Sequence, residues 1–241
     1  MNYRNFIPIL VIWIVSCSNN LKPDSIRAIS VRQISPIVTP TGKVAWYDSA
    51  VINIYYWKNK VVYDIGYKFD SIVNDQYLKQ ETRRYYIVFD TTEKFAFSYD
   101  QHKTPVKTKI NRDSLFQTLW LESGDMYQFL TDNKSTLLSS KSNKDSGTFH
   151  ESYEMINNID SNFKSRGYFS YTNGLRNVHI KYSRKLDSLK NMRLYHAYIH
   201  TPKQFYKQFN LTLDEYFYQF DLKELPVSDE TRKLILKYVT E

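Results

Sequence analysis

Between Ser49 and Asp100 apolar and polar residues take turns. Val61, Tyr63, Ile65, Tyr67 and Phe69 alternate with Val62, Asp64, Gly66, Lys68 and Asp70, which is the period of a strand with one wet face. Val51 to Trp57 precedes this run across Lys58-Asn59-Lys60, the length of a three-residue hairpin loop. Arg84–Asp90 and Lys94–Tyr99 form a second hairpin across Asp90-Thr91-Thr92-Glu93. Phe95, Phe97 and Tyr99 fall on one side of its second strand, and Ala96, Ser98 and Asp100 on the other. Four amphipathic strands joined by short polar turns predict an antiparallel sheet with one buried face. Ile29 to Val38 reads as a short strand ahead of them.

Past residue 112 the pattern changes. Asp113 or Ser114 caps a helix carrying Leu115, Phe116, Leu119 and Trp120, and Gly124 stops it. Met126 to Leu130 reads as a strand, and 131–147 as a loop or solvated hairpin around Leu137 and Leu138. Thr148 and Glu151 have capping-box spacing, followed by Met155, Ile156, Ile159 and Phe163 at helical intervals and Gly167 as the stop. Over 175–190 two readings stay open. Asn173-Gly174 suits a tight hairpin turn, whereas Leu175, Val178, Tyr182, Leu186 and Leu189 fit a helical stripe. Arg193–His200 reads as a strand, Thr201-Pro202 as the start of a short helix, and Thr212 with Glu215 as another capping box ahead of Tyr216, Phe217 and Phe220. Ser228 caps a last helix with Leu234, Ile235 and Tyr238 turned inward. The fold class expected is therefore α+β: an antiparallel sheet in the N-terminal half packed against several helices, with a helix-rich C-terminal part.

Composition narrows the class. The chain of 241 residues is 42% hydrophobic and 24% charged, so it has the material for a core and is not a disordered chain. Aromatics reach 16%, including 21 Tyr, which favours sheet. Cysteine occurs once, at Cys17. Ahead of it stand a start with one positive charge, Arg4, and an apolar run from Phe6 to Val15, far short of a membrane span. This is the grammar of a signal peptide. Ile14-Val15-Ser16-Cys17 resembles the lipobox of bacterial lipoproteins, in which a lipid is attached to the cysteine and cleavage follows in front of it.

That resemblance implies residues 1–16 as a signal peptide, 17–41 as a lipidated N-terminus and tether, and 42–241 as a single α+β globular domain, with a candidate subdomain boundary near 131–147. Ser18-Asn19-Asn20 carries no acid before Asp24, which favours an outer-membrane anchor facing the periplasm. Without Arg4 the chain keeps 32 basic residues against 25 acidic ones, a net charge of +7. In an exported protein this points to anionic head groups or another anionic envelope component, or to a further envelope protein, and not to nucleic acid.

Candidate chemistry is sparse. Lys103, Lys107, Lys109 and Arg112 make a basic segment suited to an anionic surface, and Arg184, Lys185, Lys190 and Arg193 a second cluster. His196 and His200 share a face on any regular element, but no acid lies between them, and they read as imidazoles on a wet face beside Tyr198 in preference to metal ligands. Ser161 and Lys164 have the spacing of a serine nucleophile and lysine base, yet the companion elements of such enzymes are absent from the sequence. Six glycines leave little for phosphate-binding loops or a nucleophile elbow. No cofactor is indicated. The reading is a lipid-anchored envelope protein with a binding or assembly role, the alternative being an envelope hydrolase with catalytic residues dispersed in sequence. A curved sheet with one helix-covered apolar face is similar in outline to lipoprotein-carrier domains, a likeness of architecture that carries no residues across.

Overall fold

A computed structural model of the chain describes residues 25–73, 76–100, 109–112 and 126–240. Cys17, Lys103, Lys107 and the helix expected over 115–120 lie outside them. Thirteen strands are described: β1 (Arg27–Val38), β2 (Val44–Trp57), β3 (Lys60–Val73), β4 (Gln76–Asp90), β5 (Phe95–Asp100), β6 (Lys109–Asn111), β7 (Asn133–Asn143), β8 (Thr148–Asn157), β9 (Lys164–Thr172), β10 (Arg193–Thr201), β11 (Gln204–Tyr206), β12 (Leu211–Leu213) and β13 (Tyr216–Leu225). The helices are α1 (Tyr127–Thr131), α2 (Arg184–Lys190) and α3 (Asp229–Val239), with a 3-10 turn at Lys207–Phe209. Eleven strands form one sheet in the order β6-β5-β4-β3-β2-β1-β13-β10-β9-β8-β7, and β11 pairs with β12 apart from it. Every pairing is antiparallel. Two meanders thus run outward from the central β1–β13 pair, and the chain crosses from one edge to the other between β6 and β7.

This overturns the helix-rich C-terminal part. The stretch expected as a capped helix from Thr148 is β8, that after Thr212 is β13, and 131–147 is mostly the edge strand β7. In the other direction, Met126–Leu130 lies largely in a helix, α1. The hairpin across Asn173-Gly174 does not form either: residues 175–183 run as an irregular strap, and α2 takes up only the end of the helical alternative. The stretch after Thr201-Pro202 gives β11 and the 3-10 turn. In the first half the expected strands form but run longer, β2 starting at Val44 and β4 at Gln76, and their outer face is partly buried too. Trp57 pairs with Lys60, leaving a two-residue turn with Lys58 at φ 54°.

The sheet's inner face carries Ile29, Val31, Ile52, Ile54, Val61, Tyr63, Ile65, Ile87 and Phe89 from the first meander. Met155, Phe169, Tyr171, Leu194, Ala197, Ile199, Phe220 and Leu222 come from the second. Met126, the strap residues Leu175, Val178, Ile180 and Tyr182, and Leu186 of α2 cover it. Arg193, almost fully buried, fixes the strap. It donates to the carbonyls of Ile180 and Val178 at 2.7 Å each and of Arg176 at 3.1 Å, and pairs with Asp187 at 3.0 Å. Lys190 of α2 reaches the buried Glu151 of β8 at 2.5 Å. Buried charges survive only when paired in this way. Gly167, expected as a helix stop, lies inside β9, where a Cβ would stand 2.7 Å from the Phe169 ring.

Among the described residues, a helix covers the outer face over the first meander. There Ile26, Ala28, Tyr55, Val62, Tyr86 and Val88 meet Ile235, Tyr238 and Val239 of α3. Ser228 caps this helix as expected, its hydroxyl accepting from the Thr231 amide at 3.1 Å.

Candidate functional site

A groove of about 430 Å³ opens where α3 ends against β4, β5 and β6. Alternation along β5 builds its floor: Ala96 turns inward, so Phe95, Phe97 and Tyr99 turn out beside Val88 and Tyr238. Phe95 and Phe97 stay 39% and 38% exposed, a large apolar area to leave in water. Tyr238 is held in place by stacking on Tyr86, centroids 4.6 Å apart, and by a tilted contact with Tyr99 at 5.5 Å. Lys60 donates to the Val239 carbonyl at 2.5 Å, placing a cation at the negative end of α3. Lys60, Asp90, Glu93 and Lys109 give the groove a polar rim of both signs. Lys109 Nζ sits 3.8 Å above the Phe95 ring, a cation–π contact. Asp90 accepts from the Thr92 hydroxyl at 2.7 Å and its amide at 2.9 Å, and these bonds hold its carboxyl below the usual range. Burial pushes the Tyr238 hydroxyl up to about 12, so it stays protonated at neutral pH. An apolar floor with a few fixed polar groups at the rim is the make-up of a ligand site.

Of the residues singled out by sequence, Lys109 lines this groove. Arg112 is occupied elsewhere, donating to the Thr91 carbonyl at 2.7 Å and so tying down the β4–β5 turn. The second basic cluster is divided: Lys190 and Arg193 are the internal ties described above and offer no anionic contact surface. Ser161 sits in the turn between β8 and β9, outside any helix, and Lys164 is the first residue of β9. His196 and His200 do share the outer face of β10 with Tyr198. Each meets its own carboxylate, His196 Nδ1 with Asp221 at 2.6 Å and His200 Nε2 with Glu215 at 2.8 Å. Among the described residues no group of three or more His, Cys, Asp or Glu is placed to hold a metal.

Cross-strand register shows what sequence reading missed. Asp221, His196, Ser170, His150 and Lys141 face one another in a single row over β13, β10, β9, β8 and β7. Gln219, Tyr198, Tyr168, Ser152 and Ser139 form the next row. His150 Nδ1 and the Ser170 hydroxyl are 2.8 Å apart, and Gln219 donates to Asp221 at 2.7 Å. Cross-strand neighbours 9 to 30 residues apart leave no local sequence signal. On the inner side, His179 of the strap is bound by the hydroxyls of Tyr56, at 2.8 Å, and Tyr63. Burial, with Arg193 and Arg112 near it, lowers its pKa to about 4, so it is neutral, taking one hydrogen bond and giving the other.

No family model matches the chain, and no curated protein matches it. Among solved structures it is similar to a LolA superfamily protein from Nitrosomonas europaea, with 10% identity, 87% of this chain and 90% of that chain covered, and a TM-score of 0.24. It is also similar to an outer membrane lipoprotein-sorting protein domain from Vibrio parahaemolyticus, with 10% identity, 89% and 94% covered, and a TM-score of 0.22. At such scores neither likeness bears on fold or function. Among the described residues no helix is long and apolar enough to cross a membrane, which says nothing of strands.

Proposed function

We propose that this is a lipid-anchored cell-envelope protein that binds a single-chain amphiphile, with the apolar chain on the aromatic floor between α3 and β5 and the polar head at the rim. The observation that carries the reading is the pair of half-exposed rings, Phe95 and Phe97, facing a groove of about 430 Å³. The lipobox-like Ile14-Val15-Ser16-Cys17 supports the anchor and the envelope location, with an outer-membrane anchor facing the periplasm as the expected placement. A clickable palmitate analogue fed to a lipoprotein-processing bacterium should label the wild type and leave Cys17→Ala unlabelled. A dansylated undecanoic acid should brighten on binding to purified protein, and Phe97→Glu should weaken that binding at least tenfold. An unlabelled wild-type chain would remove the anchor, and equal brightening with Phe97→Glu would remove the groove.

The hydrolase alternative has one observation behind it, Ser170 bonded to His150 with the His196–Asp221 pair in the adjoining register. However, β9 is hydrogen-bonded to β8 on one side and β10 on the other. Pairing on both sides engages most of its amides in the sheet, with a register shift between Leu194 and His196 opposite Ser170, which disfavours an oxyanion site built on this strand's backbone.

A further inference from the structure

We infer that the outer face of β7 to β10 and β13 is a saccharide-binding surface, separate from the groove under α3. A shallow depression of about 600 Å³ lies there, lined by Ser139, Lys141, His150, Tyr168, Ser170 and His196, among others. Three features fix the ligand's chemistry. First, the polar groups are hydroxyls and imidazoles, which both give and accept hydrogen bonds, as sugar hydroxyls do. Second, these groups are already oriented by each other: Ser139 with Ser152 at 2.7 Å, His150 with Ser170 at 2.8 Å, and His196 with Asp221 at 2.6 Å. Preorganised side chains lose less entropy on binding. Third, aromatic rings flank them. Tyr168 is 41% exposed and its centroid stands 6.1 Å from that of Tyr198, which in turn packs on Phe217 at 5.4 Å. Such rings offer apolar area to the C–H faces of a pyranose.

Charge separates this ligand from others. Lys141 is the one fixed cation of the lining. Asp221, at the lining's edge between His196 and the facing Arg32, is ionised, its carboxyl held low against its burial by hydrogen bonds from His196 and Gln219 and by Arg32. A phosphate or a lipid head group would meet that carboxylate, whereas a neutral polyol hydrogen-bonds to it. From β13 to β7 the face spans about 19 Å at the usual strand spacing, room for several linked sugars.

The test uses the full chain and three soluble probes, cellohexaose, chitohexaose and maltohexaose, followed by backbone amide shifts in NMR titrations. At least one hexasaccharide should shift resonances of β8, β9 and β10 at millimolar concentration. Tyr168→Ala, at an exposed position, should weaken that binding at least tenfold with its melting curve unchanged, and His196→Gln should weaken it as well. Four results would each overturn the proposal: no shift with any of the three sugars, shifts confined to α3 and β5, shifts produced by inorganic phosphate alone, or wild-type affinity in both variants.

Discussion

The two meanders share one sheet and are stabilised differently. In the first, β1 to β4 bury apolar side chains on both faces, against the strap inside and α3 outside. In the second, β8 to β10 and β13 bury only the inner face, and part of what they bury is charged: Glu151 under Lys190, and Arg193 under the strap. Their outer face stays wet and carries the histidine and tyrosine rows. The first half rests chiefly on the hydrophobic effect, which needs only the right area in the right place. Among its described residues Asp64 is the one buried carboxylate, 4.0 Å from Arg84. The second relies on specific polar pairs, which cost much more when one partner is lost than the pair ever contributed.

The largest expected effect falls on such a pair. Arg193→Ala would take the paired cation from Asp187, which keeps the Leu194 amide, and remove this donor from three strap carbonyls, and should lower the stability to urea by about 4 kcal/mol. A loss below about 1 kcal/mol would show that the strap is held by its apolar residues alone and that the contrast between the halves is wrong. Next comes His179, which ties the strap to Tyr56 and Tyr63 of the first meander. Its folded pKa of about 4 lies below the ordinary 6.5, so the unfolded chain binds the proton more tightly. The stability it contributes is complete above about pH 6.5 and is lost as the pH falls towards 4, about 3 kcal/mol in all. Urea midpoints measured from pH 7 to 4 should show that slope, and His179→Asn should flatten it. The smallest effect is on the first half's outer cover. Ser228→Ala removes one cap from α3 and should cost about 1 kcal/mol, visible as a shifted melting curve without loss of the sheet.

The same asymmetry explains what could be read from the sequence. In β3 the outward positions include Asp64 and Gly66 and the inward ones Val61, Tyr63 and Ile65, so period two was plain. In β13 the outward positions are Phe217, Gln219 and Asp221 and the inward ones Tyr218, Phe220 and Leu222. Aromatic residues on the wet face hid the alternation, and Tyr216, Phe217 and Phe220 passed for a helical stripe. Both apparent capping boxes were coincidences of spacing: Glu151 serves Lys190 and Glu215 serves His200. The irregular course of the strap was not legible, because its carbonyls are held by Arg193 and its Tyr182 and His179 by groups far away in sequence, not by a regular element of its own. Of the groove, the grouping of Phe95, Phe97 and Tyr99 on one side of their strand and the inward face of α3 were legible, but not that this aromatic side faces outward. Their meeting was not, since it depends on where the C-terminal helix docks.

The most direct measurement is hydrogen exchange of the purified protein with and without saturating dansylated undecanoic acid. Amphiphile binding in the groove predicts slower exchange in α3 and β5, with the strap and the outer face of β8 to β10 unchanged. Exchange unchanged at α3 and β5, or slowed along the strap, would contradict it.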